Sequence, residues 1–351
     1  MALASVPVVR LTWRRRLGEF LLPVAAVLAA FVVAGVLLAL TGVNPLKAYG
    51  YLLFHAFSDR NSFAEILVRT SPLLLTGLGI SVAFQCGMWN IGAEGQLYVG
   101  AVVTTGLGIS LIHLPPAVLL PLIVLASVVG GGLYGALPGW LKVRFGANEI
   151  IVTIMLNYVA ILGSSYLLSN PWKEPSGLVP RSANIVSAAQ LPRLIEGTRM
   201  HAGILLALAA TAVMFVLLRK TVLGYRLRVV GRNPNAARYG GIPVGRTLIL
   251  GMAISGGLAG LAGMGEISGI HHNLLDEFSP GYGFTGIVVA LLGNLHPLGV
   301  LMAAVLFAAL QVGAESMQRT FRIATSLVWI LQGLVVLFAL GSRFLSRYAR
   351  E

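Results

Sequence analysis

Charged residues are scarce in this chain of 351 residues, and acidic ones are the scarcest. Asp, Glu, Lys and Arg make up 11% of the sequence, against about 25% in an ordinary soluble domain. Hydrophobic residues make up 57%, and the mean hydropathy is +0.85. This composition indicates a polytopic membrane protein. The single cysteine, Cys86, excludes an intrachain disulfide and a cysteine-based metal cluster.

The sequence also lacks the motifs of common enzymes and ion-driven carriers. It contains no phosphate-binding P-loop, no nucleophile elbow and no His-Glu-x-x-His zinc motif. Its 12 acidic residues are scattered, and charges within the apolar runs do not form the network that a proton- or sodium-driven carrier uses. His271 and His272 are adjacent, but no further ligand follows at a metal-binding spacing. We therefore expect no catalytic or metal site and no bound cofactor on this chain.

The net charge of +13 raises the question of a nucleic-acid partner. The basic residues stand at the ends of apolar runs, without the aromatic and basic groove pattern of nucleic-acid binders. They are better explained by membrane orientation, because Lys and Arg accumulate in cytoplasmic loops. With both termini placed inside, 16 basic residues fall in cytoplasmic segments and 8 in outer ones. We expect contact with the lipid bilayer and no nucleic-acid partner.

The apolar runs predict an all-α polytopic fold with about ten transmembrane helices, some of them broken or short, and both termini in the cytoplasm. We expect residues 1–351 to form a single transmembrane domain, with a cytoplasmic loop at residues 219–246. The weakest crossings are Gly281–Gly293 and those around Asn90, each of which has a re-entrant alternative.

The cytoplasmic loop Arg219–Arg246 carries seven basic residues and no acidic one. Within it, Asn233 is a suitable N-cap, Pro234 suits the first helical position, and Gly240-Gly241 would end the helix. A short capped helix between two membrane spans predicts a surface on which a partner docks. The alternative is a positively charged loop whose helix is incidental.

Two interruptions break the apolar pattern. The first, between Gly87 and Gln96, places Asn90, Glu94 and Gln96 within seven residues. We expect Asn90 to cap the next helix, with Glu94 in its first turn. Capping leaves Gln96 unexplained, so a position along a transport path or at its cytoplasmic mouth stays open beside the capping role. The second interruption, Asn294 to Pro297, follows about 200 residues later and is a weak hint of two related halves.

A polar stripe marks the helix that begins near Asn148. Asn148 is a suitable N-cap, and Glu149, Thr153 and Asn157 then recur every four residues. A polar stripe in a membrane helix faces other helices or a cavity. The stripe therefore has two alternative roles, hydrogen bonding between helices and the lining of a lumen. Glu149 has three alternative roles: a helix cap, a gate, or a contact with a partner protein.

Three segments together carry a family resemblance: Phe84–Gln96, Asn148–Tyr158 and Gly231–Ile242. They resemble permease subunits of bacterial ABC importers, in the branched-chain amino acid and monosaccharide permease group. The Asn-Ile-Gly-Ala-Glu-Gly-Gln block and the Met-Leu-Asn-Tyr ending are most similar to the nucleoside-uptake branch. The resemblance covers the chain from about Leu67 to Leu340.

The resemblance implies a subunit that forms the translocation pathway of an ATP-driven importer in the bacterial plasma (inner) membrane. The implied solute is a nucleoside, and the alternative solute is a pentose or another small polar molecule. A stand-alone secondary carrier is a different, less favoured hypothesis for the function of the chain. The implied partners are a separate ATP-binding cassette subunit that binds ATP and magnesium, a second related permease chain, identical or different, and an extracytoplasmic substrate-binding protein.

The resemblance also implies roles for individual residues. It makes Asn233–Tyr239 a coupling helix seated in a groove of the ATPase. The implied ATPase-coupling residues are Arg232, Asn233, Pro234, Asn235, Ala236, Ala237, Arg238, Tyr239 and Gly240. Amide and hydroxyl groups suit ribose hydroxyls and base edges, and sugars equally. On that ground the candidate translocation-pathway residues are Asn90, Glu94, Gln96, Thr153, Asn157 and Asn294.

Overall fold

A computed structural model describes residues 28–29, 31–40, 42–54, 57–174 and 180–323, together with positions 330, 333, 334, 337, 338 and 341. Within these residues every regular element longer than an isolated β-bridge is helical. Both termini, the start of the first predicted crossing and most of the last one lie outside the described residues.

The chain divides into two compact units. One comprises residues 1–55 and 313–351. Its described helices are α1 (Phe31–Leu40), α2 (Pro45–Phe54) and the last part of α12 (Pro297–Phe321). Gly313 of α12 lies against α2, because a Cβ at Gly313 would be 2.0 Å from the Leu52 carbonyl oxygen.

The second unit comprises residues 56–312 and contains the segments that the sequence singles out. Besides the first part of α12, its helices are α3 (Arg60–Gln85), α4 (Ala93–Ser110), α5 (Pro116–Phe145), α6 (Glu149–Ser169), α7 (Gly203–Lys220), α8 (Val222–Arg232), α9 (Pro234–Tyr239), α10 (Val244–Glu266) and α11 (Tyr282–Leu292). Helix α10 is central and packs against α3, α4 and α5.

Small residues bring α5 and α10 into backbone contact. A Cβ at Gly256 would lie 2.2 Å from the carbonyl oxygen of Gly131, and a Cβ at Gly260 would lie 2.3 Å from that of Ser127. Helices in lipid gain little from burying apolar surface against each other, so close packing of small residues is a common way to hold them together. We call this contact the glycine seam.

Six of the described helices are long and apolar enough to cross a membrane: Arg60–Gln85, Pro116–Phe145, Glu149–Ser169, Gly203–Lys220, Val244–His271 and Pro297–Phe321. The predicted multi-pass helical protein is thus confirmed. Helix α11 has 11 residues and is about 16 Å long, half of the roughly 30 Å hydrocarbon layer. Its length favours the re-entrant alternative for Gly281–Gly293.

Candidate functional site

Residues 86–92 connect α3 to α4, and we call this connection the polar elbow. Gly87 adopts a left-handed φ of +79° there, which glycine tolerates without strain. The side-chain oxygen of Asn90 accepts a hydrogen bond from Gly92 N at 2.9 Å. Helix α4 is preceded by Gly92 and has no side-chain cap. The prediction that Asn90 caps this helix is therefore wrong, because Asn90 stabilises the turn before it. Glu94 does lie in the first turn of α4.

The Asn90 side chain joins two helices to the elbow. Its amide nitrogen donates to Gln96 Oε1 at 2.9 Å and to Ser255 Oγ at 2.8 Å. Gln96 returns a hydrogen bond from its own amide nitrogen to Asn90 Oδ1 at 3.1 Å. All three side chains are buried. Because a buried polar atom without a partner costs about 1–3 kcal/mol, this exchange fixes the elbow against α10.

The polar stripe on α6 faces the same elbow. Asn157 Oδ1 accepts a hydrogen bond from Gly95 N at 2.8 Å, and its amide nitrogen donates to the Ile91 carbonyl at 2.9 Å. Thr153 packs on Gly92, since a Cβ there would lie 3.0 Å from Thr153 Cβ. Of the two alternatives for the stripe, the structure shows hydrogen bonding between segments.

The start of α6 is built as the sequence predicts. Asn148 Oδ1 accepts hydrogen bonds from Ile150 N at 2.9 Å and Ile151 N at 3.5 Å. Glu149, in the first turn, pairs with the ammonium group of Lys142 near the end of α5. Among the alternatives left open for Glu149, the structure thus shows a bridge between two neighbouring helices.

Glu94 lies where two helices begin. It belongs to the first turn of α4, and its Oε2 accepts a hydrogen bond from Gly283 N, at the start of α11, at 2.6 Å. The Ser279 hydroxyl and the backbone of Phe284 also face this carboxyl group, which is buried. Among the described residues, no Lys or Arg lies within ion-pair distance of Glu94. The positive ends of two helix dipoles face the carboxylate instead.

The polar elbow places the start of α4 inside the protein, beside the middle of α3. Thr76, in the second half of α3, donates a hydrogen bond to the Tyr282 carbonyl at the start of α11, at 3.2 Å. Gln85, at the end of α3, donates to the Leu295 carbonyl just beyond α11, at 2.6 Å. Helix α11 therefore runs beside the last ten residues of α3, which span about 14 Å. Because Glu94 contacts the start of α11, α4 begins near the level of Thr76, deep inside this unit.

Five of the six candidate pathway residues come together here, and one does not. Asn90, Glu94, Gln96, Thr153 and Asn157 surround the elbow, and with Ser255 of α10 we call them the elbow cluster. Asn294 is exposed in the turn between α11 and α12, where it has a φ of +56°. The structure therefore does not bring Asn294 together with the other five candidates.

Sequence reasoning missed Ser255. It lies near the middle of α10, 165 positions from the Asn90 side chain to which it bonds. A serine in an apolar helix is unremarkable by itself, so only the fold could identify this partner. All six side chains of the cluster are buried. Asn90, Gln96 and Ser255 bond to one another, whereas Asn157, Thr153 and Glu94 bond to backbone groups.

The predicted capped helix exists with the predicted ends. Helix α9 runs from Pro234 to Tyr239, and Asn233 Oδ1 accepts hydrogen bonds from Asn235 N at 3.1 Å and Ala236 N at 3.0 Å. Of the nine residues predicted to couple to an ATPase, eight are exposed and Ala237 is buried. Tyr239 is 94% exposed. Ala237 thus anchors the helix to the protein while its neighbours form the free surface.

Sequence reasoning missed the helix before it. Helix α8 is amphipathic and buries Gly224, Leu227 and Val230, while arginines occupy its other face. Gly231, next to its end, touches the polar elbow: a Cβ there would lie 2.1 Å from the Gln85 carbonyl oxygen, and its Cα is 3.3 Å from the Cβ position of Gly87. The exposed α9 is therefore joined through α8 to the start of the elbow.

A helical protein with interrupted membrane spans, a buried polar cluster where half-helices meet and an exposed helix within a basic loop has the features of a transport permease. The chain matches the family described as "Branched-chain amino acid transport system / permease component" over residues 62–340, and it belongs to that family. The resemblance drawn from the three sequence segments is confirmed.

Three relatives cover most of the chain. The glucose ABC transporter permease protein TsgB13 of Haloferax volcanii is 39% identical over 93% of this chain and 88% of its own length. The guanosine ABC transporter permease protein NupP of Bacillus subtilis is 34% identical, over 93% and 95%. The nucleoside ABC transporter permease protein NupB of Lactococcus lactis is 33% identical, over 85% of each.

No solved structure matches the chain significantly. The relatives are membrane transport components and not enzymes. The chain is accordingly a multi-pass ABC transporter permease, a class of subunit that works with an ATPase and a substrate-binding protein.

Proposed function

We propose that this chain forms the translocation pathway of an ATP-driven importer of nucleosides in the bacterial plasma membrane. The observation that carries the proposal is the similarity to a guanosine and a nucleoside permease, at 34% and 33% identity over 85% or more of this chain. In this proposal ATP and magnesium bind to a separate cassette subunit, a second related permease chain completes the pathway, and an extracytoplasmic protein delivers the solute.

Coupling to the ATPase is proposed to begin at α9. Its exposed face, including Arg238 and Tyr239, would rest in a groove of the cassette subunit. Closure of that subunit would push on α9, and α8 would pass the movement to the polar elbow, because Gly231 packs on the backbone of Gln85 and Gly87. The loop carries seven basic residues and no acidic one, which favours a cytoplasmic position for this contact.

The elbow cluster is the proposed barrier and solute contact. The side-chain amides of Asn90 and Gln96 and the Ser255 hydroxyl bond to one another, and the Asn157 amide bonds to the backbone of Gly95. Movement of the elbow would exchange these bonds for bonds to ribose hydroxyls and base edges, which need the same donors and acceptors. In this proposal the cluster closes the pathway in the present conformation and opens when α8 moves.

A monosaccharide is the second candidate solute. The 39% identity to a glucose permease over 93% of this chain favours it. Sugars and nucleosides share hydroxyl groups, and only nucleosides carry a base. Comparison of a nucleoside with its free sugar therefore separates the two candidates.

Uptake by membrane vesicles tests the proposal. The vesicles would hold this chain with its genomic neighbours, and the labelled solutes would be guanosine, ribose and glucose, with and without internal ATP. Guanosine uptake that needs ATP supports the nucleoside importer, and ATP-dependent uptake of a sugar alone supports the second candidate. Equal uptake without ATP or partners would contradict both and leave a stand-alone carrier.

A further inference from the structure

Unpartnered polar atoms concentrate at the end of α10 farthest from α9. Five buried side-chain polar atoms lack a hydrogen-bond partner within the described part of the chain, and four of them are His201 Nε2, Ser268 Oγ, His272 Nδ1 and Asn273 Oδ1. Folded proteins leave few such atoms, because each costs the energy of removing it from water. Four in one place indicate a missing partner.

The four residues are neighbours. Three of them lie within positions 268–273, and the His201 ring rests on Gly269, where a Cβ would be only 2.4 Å from ring atoms. The segment before α7 is held over this turn by a hydrogen bond from Leu191 N to the Ser268 carbonyl at 2.8 Å. We call His201, Ser268, His272 and Asn273 the outer polar turn.

The backbone of this turn departs from regular helix. After Glu266 the chain forms a π-helical turn, Ile267–His271, a distortion that is frequent at functional sites. His272 then adopts a φ of +59°, which is costly for a residue other than glycine and persists only where surrounding bonds hold it. Here Ile185 N donates to the His272 carbonyl at 2.8 Å. The backbone of the turn is thus fixed by contacts within the protein.

The chemistry of the turn is that of a hydroxyl receptor. His201 Nδ1 accepts a hydrogen bond from Gly203 N at 3.1 Å. Burial lowers the pKa of His201, which lies before α7, to about 4. The ring is therefore neutral at pH 7, and its single proton is on Nε2, which makes that atom a free donor.

Asn273 supplies the complementary acceptor. Its amide nitrogen donates to Asn184 Oδ1 at 2.9 Å, which leaves Oδ1 available, and the Ser268 hydroxyl can donate or accept. A neutral set with both donors and acceptors suits alcohol groups, which also do both. It suits neither a phosphate, which needs only donors, nor a metal: no group of three or more His, Cys, Asp or Glu within the described residues could hold one.

We infer that the outer polar turn is a binding subsite for the hydroxyl groups of the transported solute, on the side of the membrane where the solute enters. Helix α10 starts beside the basic loop and has 23 residues, about 35 Å, so its end reaches the opposite side. The inference rests on the proposed function for the direction of transport. The direct binding that it predicts needs neither ATP nor a partner.

Ser268→Ala is the sharpest test. The Ser268 side chain is fully buried and unpartnered, so a purely structural hydroxyl could be removed without loss of stability. Ser164→Ala is the matched control, because it removes a buried hydroxyl that bonds within its own helix, to the Ile161 carbonyl at 2.7 Å. Melting temperatures of the purified full chain in nanodiscs would be measured against increasing guanosine, ribose, glucose and, as a base without hydroxyls, guanine.

We expect guanosine or one of the sugars to raise the melting temperature of the wild type and of Ser164→Ala, with guanine inactive. For Ser268→Ala the midpoint concentration should rise about tenfold, while the melting temperature without solute stays the same. Equal midpoints in all three proteins, a response to guanine equal to that of guanosine, or no response to any probe would overturn the subsite.

ATP-driven uptake by the same variants separates this inference from the proposed function. An unchanged KM for uptake by Ser268→Ala would overturn the proposed subsite and leave the proposed importer function standing. If the wild type binds solutes through their hydroxyl groups but shows no ATP-driven uptake, the proposed subsite stands and the proposed importer function is overturned.

Discussion

Glu94 has an environment very different from that of a glutamate side chain in water. It is buried between the starts of α4 and α11 and accepts a hydrogen bond from Gly283 N. Two helix dipoles and these amides replace a basic partner. The Glu94 side chain thus connects the start of the short helix α11 to the start of the longer helix α4.

Replacing Glu94 should therefore destabilise the protein even when the shape of the side chain is kept. We expect Glu94→Gln to lower the free energy of unfolding by about 1 kcal/mol, because one of the two carboxyl oxygens becomes an amide nitrogen that cannot accept a hydrogen bond. Glu94→Ala should cost about 1–3 kcal/mol more, because Gly283 N–H is left without its acceptor. Denaturant unfolding in detergent measures both, with the exposed Glu196→Gln as control. An equal stability of Glu94→Ala and Glu196→Gln would contradict this account.

His201 and His272 should make the stability of the protein depend on pH. Burial lowers the pKa of His201 to about 4, and burial and the nearby Arg193 lower that of His272. Since the unfolded chain has the ordinary value of about 6.5, it binds more protons than the folded chain below that pH. Stability should be constant above about pH 6.5 and fall as the pH drops toward 4.

Melting temperatures between pH 8 and pH 4 check this prediction. His201→Gln should weaken the fall, because glutamine keeps an acceptor for Gly203 N and does not titrate. Arg193, Arg199, His271 and Glu266 surround these histidines and remain in the variant. A fall of the same size in His201→Gln would assign the pH dependence to other groups.

At the scale of the helices, the contact between α8 and the polar elbow decides whether movement of α9 can reach the pathway. Replacing glycine by alanine inside a helix normally stabilises it by about 1 kcal/mol. At Gly231 the added carbon would lie 2.1 Å from the Gln85 carbonyl oxygen, so one of the two segments must shift.

We therefore expect Gly231→Ala to lower the melting temperature and to reduce ATP-driven uptake at least tenfold. Gly163→Ala on α6 is the control, since nothing lies within 4 Å of a Cβ there, and it should keep uptake and slightly raise the melting temperature. Normal uptake by Gly231→Ala would show that the contact is not the route of coupling.

The sequence predicts local features of these elements well and their contacts poorly. The ends of α9 were predictable because Asn233, Pro234 and the glycines act within one turn. Helix α8 was missed because its buried residues, Gly224, Leu227 and Val230, are separated in the sequence by Arg226 and Arg228. The depth of the elbow follows from the contacts of Thr76 and Gln85 with α11, more than 200 positions away, and no periodicity encodes such contacts.

For the whole molecule, the free face of α9 predicts dependence on a partner. Tyr239 is 94% exposed, so Tyr239→Ala should leave the melting temperature of the isolated chain unchanged. In the assembled transporter we expect it to weaken binding of the cassette subunit about tenfold, because exposed aromatic residues often dominate interfaces.

Co-purification and ATPase measurements test that prediction, with Tyr166→Ala on α6 as control because Tyr166 is also exposed, at 65%. Equal recovery of the cassette subunit with both variants would place the interface elsewhere. Loss of the fold in Tyr239→Ala alone would instead give this tyrosine a structural role.

The glycine seam between α5 and α10 has a consequence for the gene. Every missense change at a glycine codon adds at least one carbon atom. At Gly131, Gly256 and Gly260 that atom would lie 2.4, 2.2 and 2.3 Å from a backbone oxygen of the opposite helix. Since neither backbone can yield without moving a whole helix, these codons should accept silent changes and almost no others.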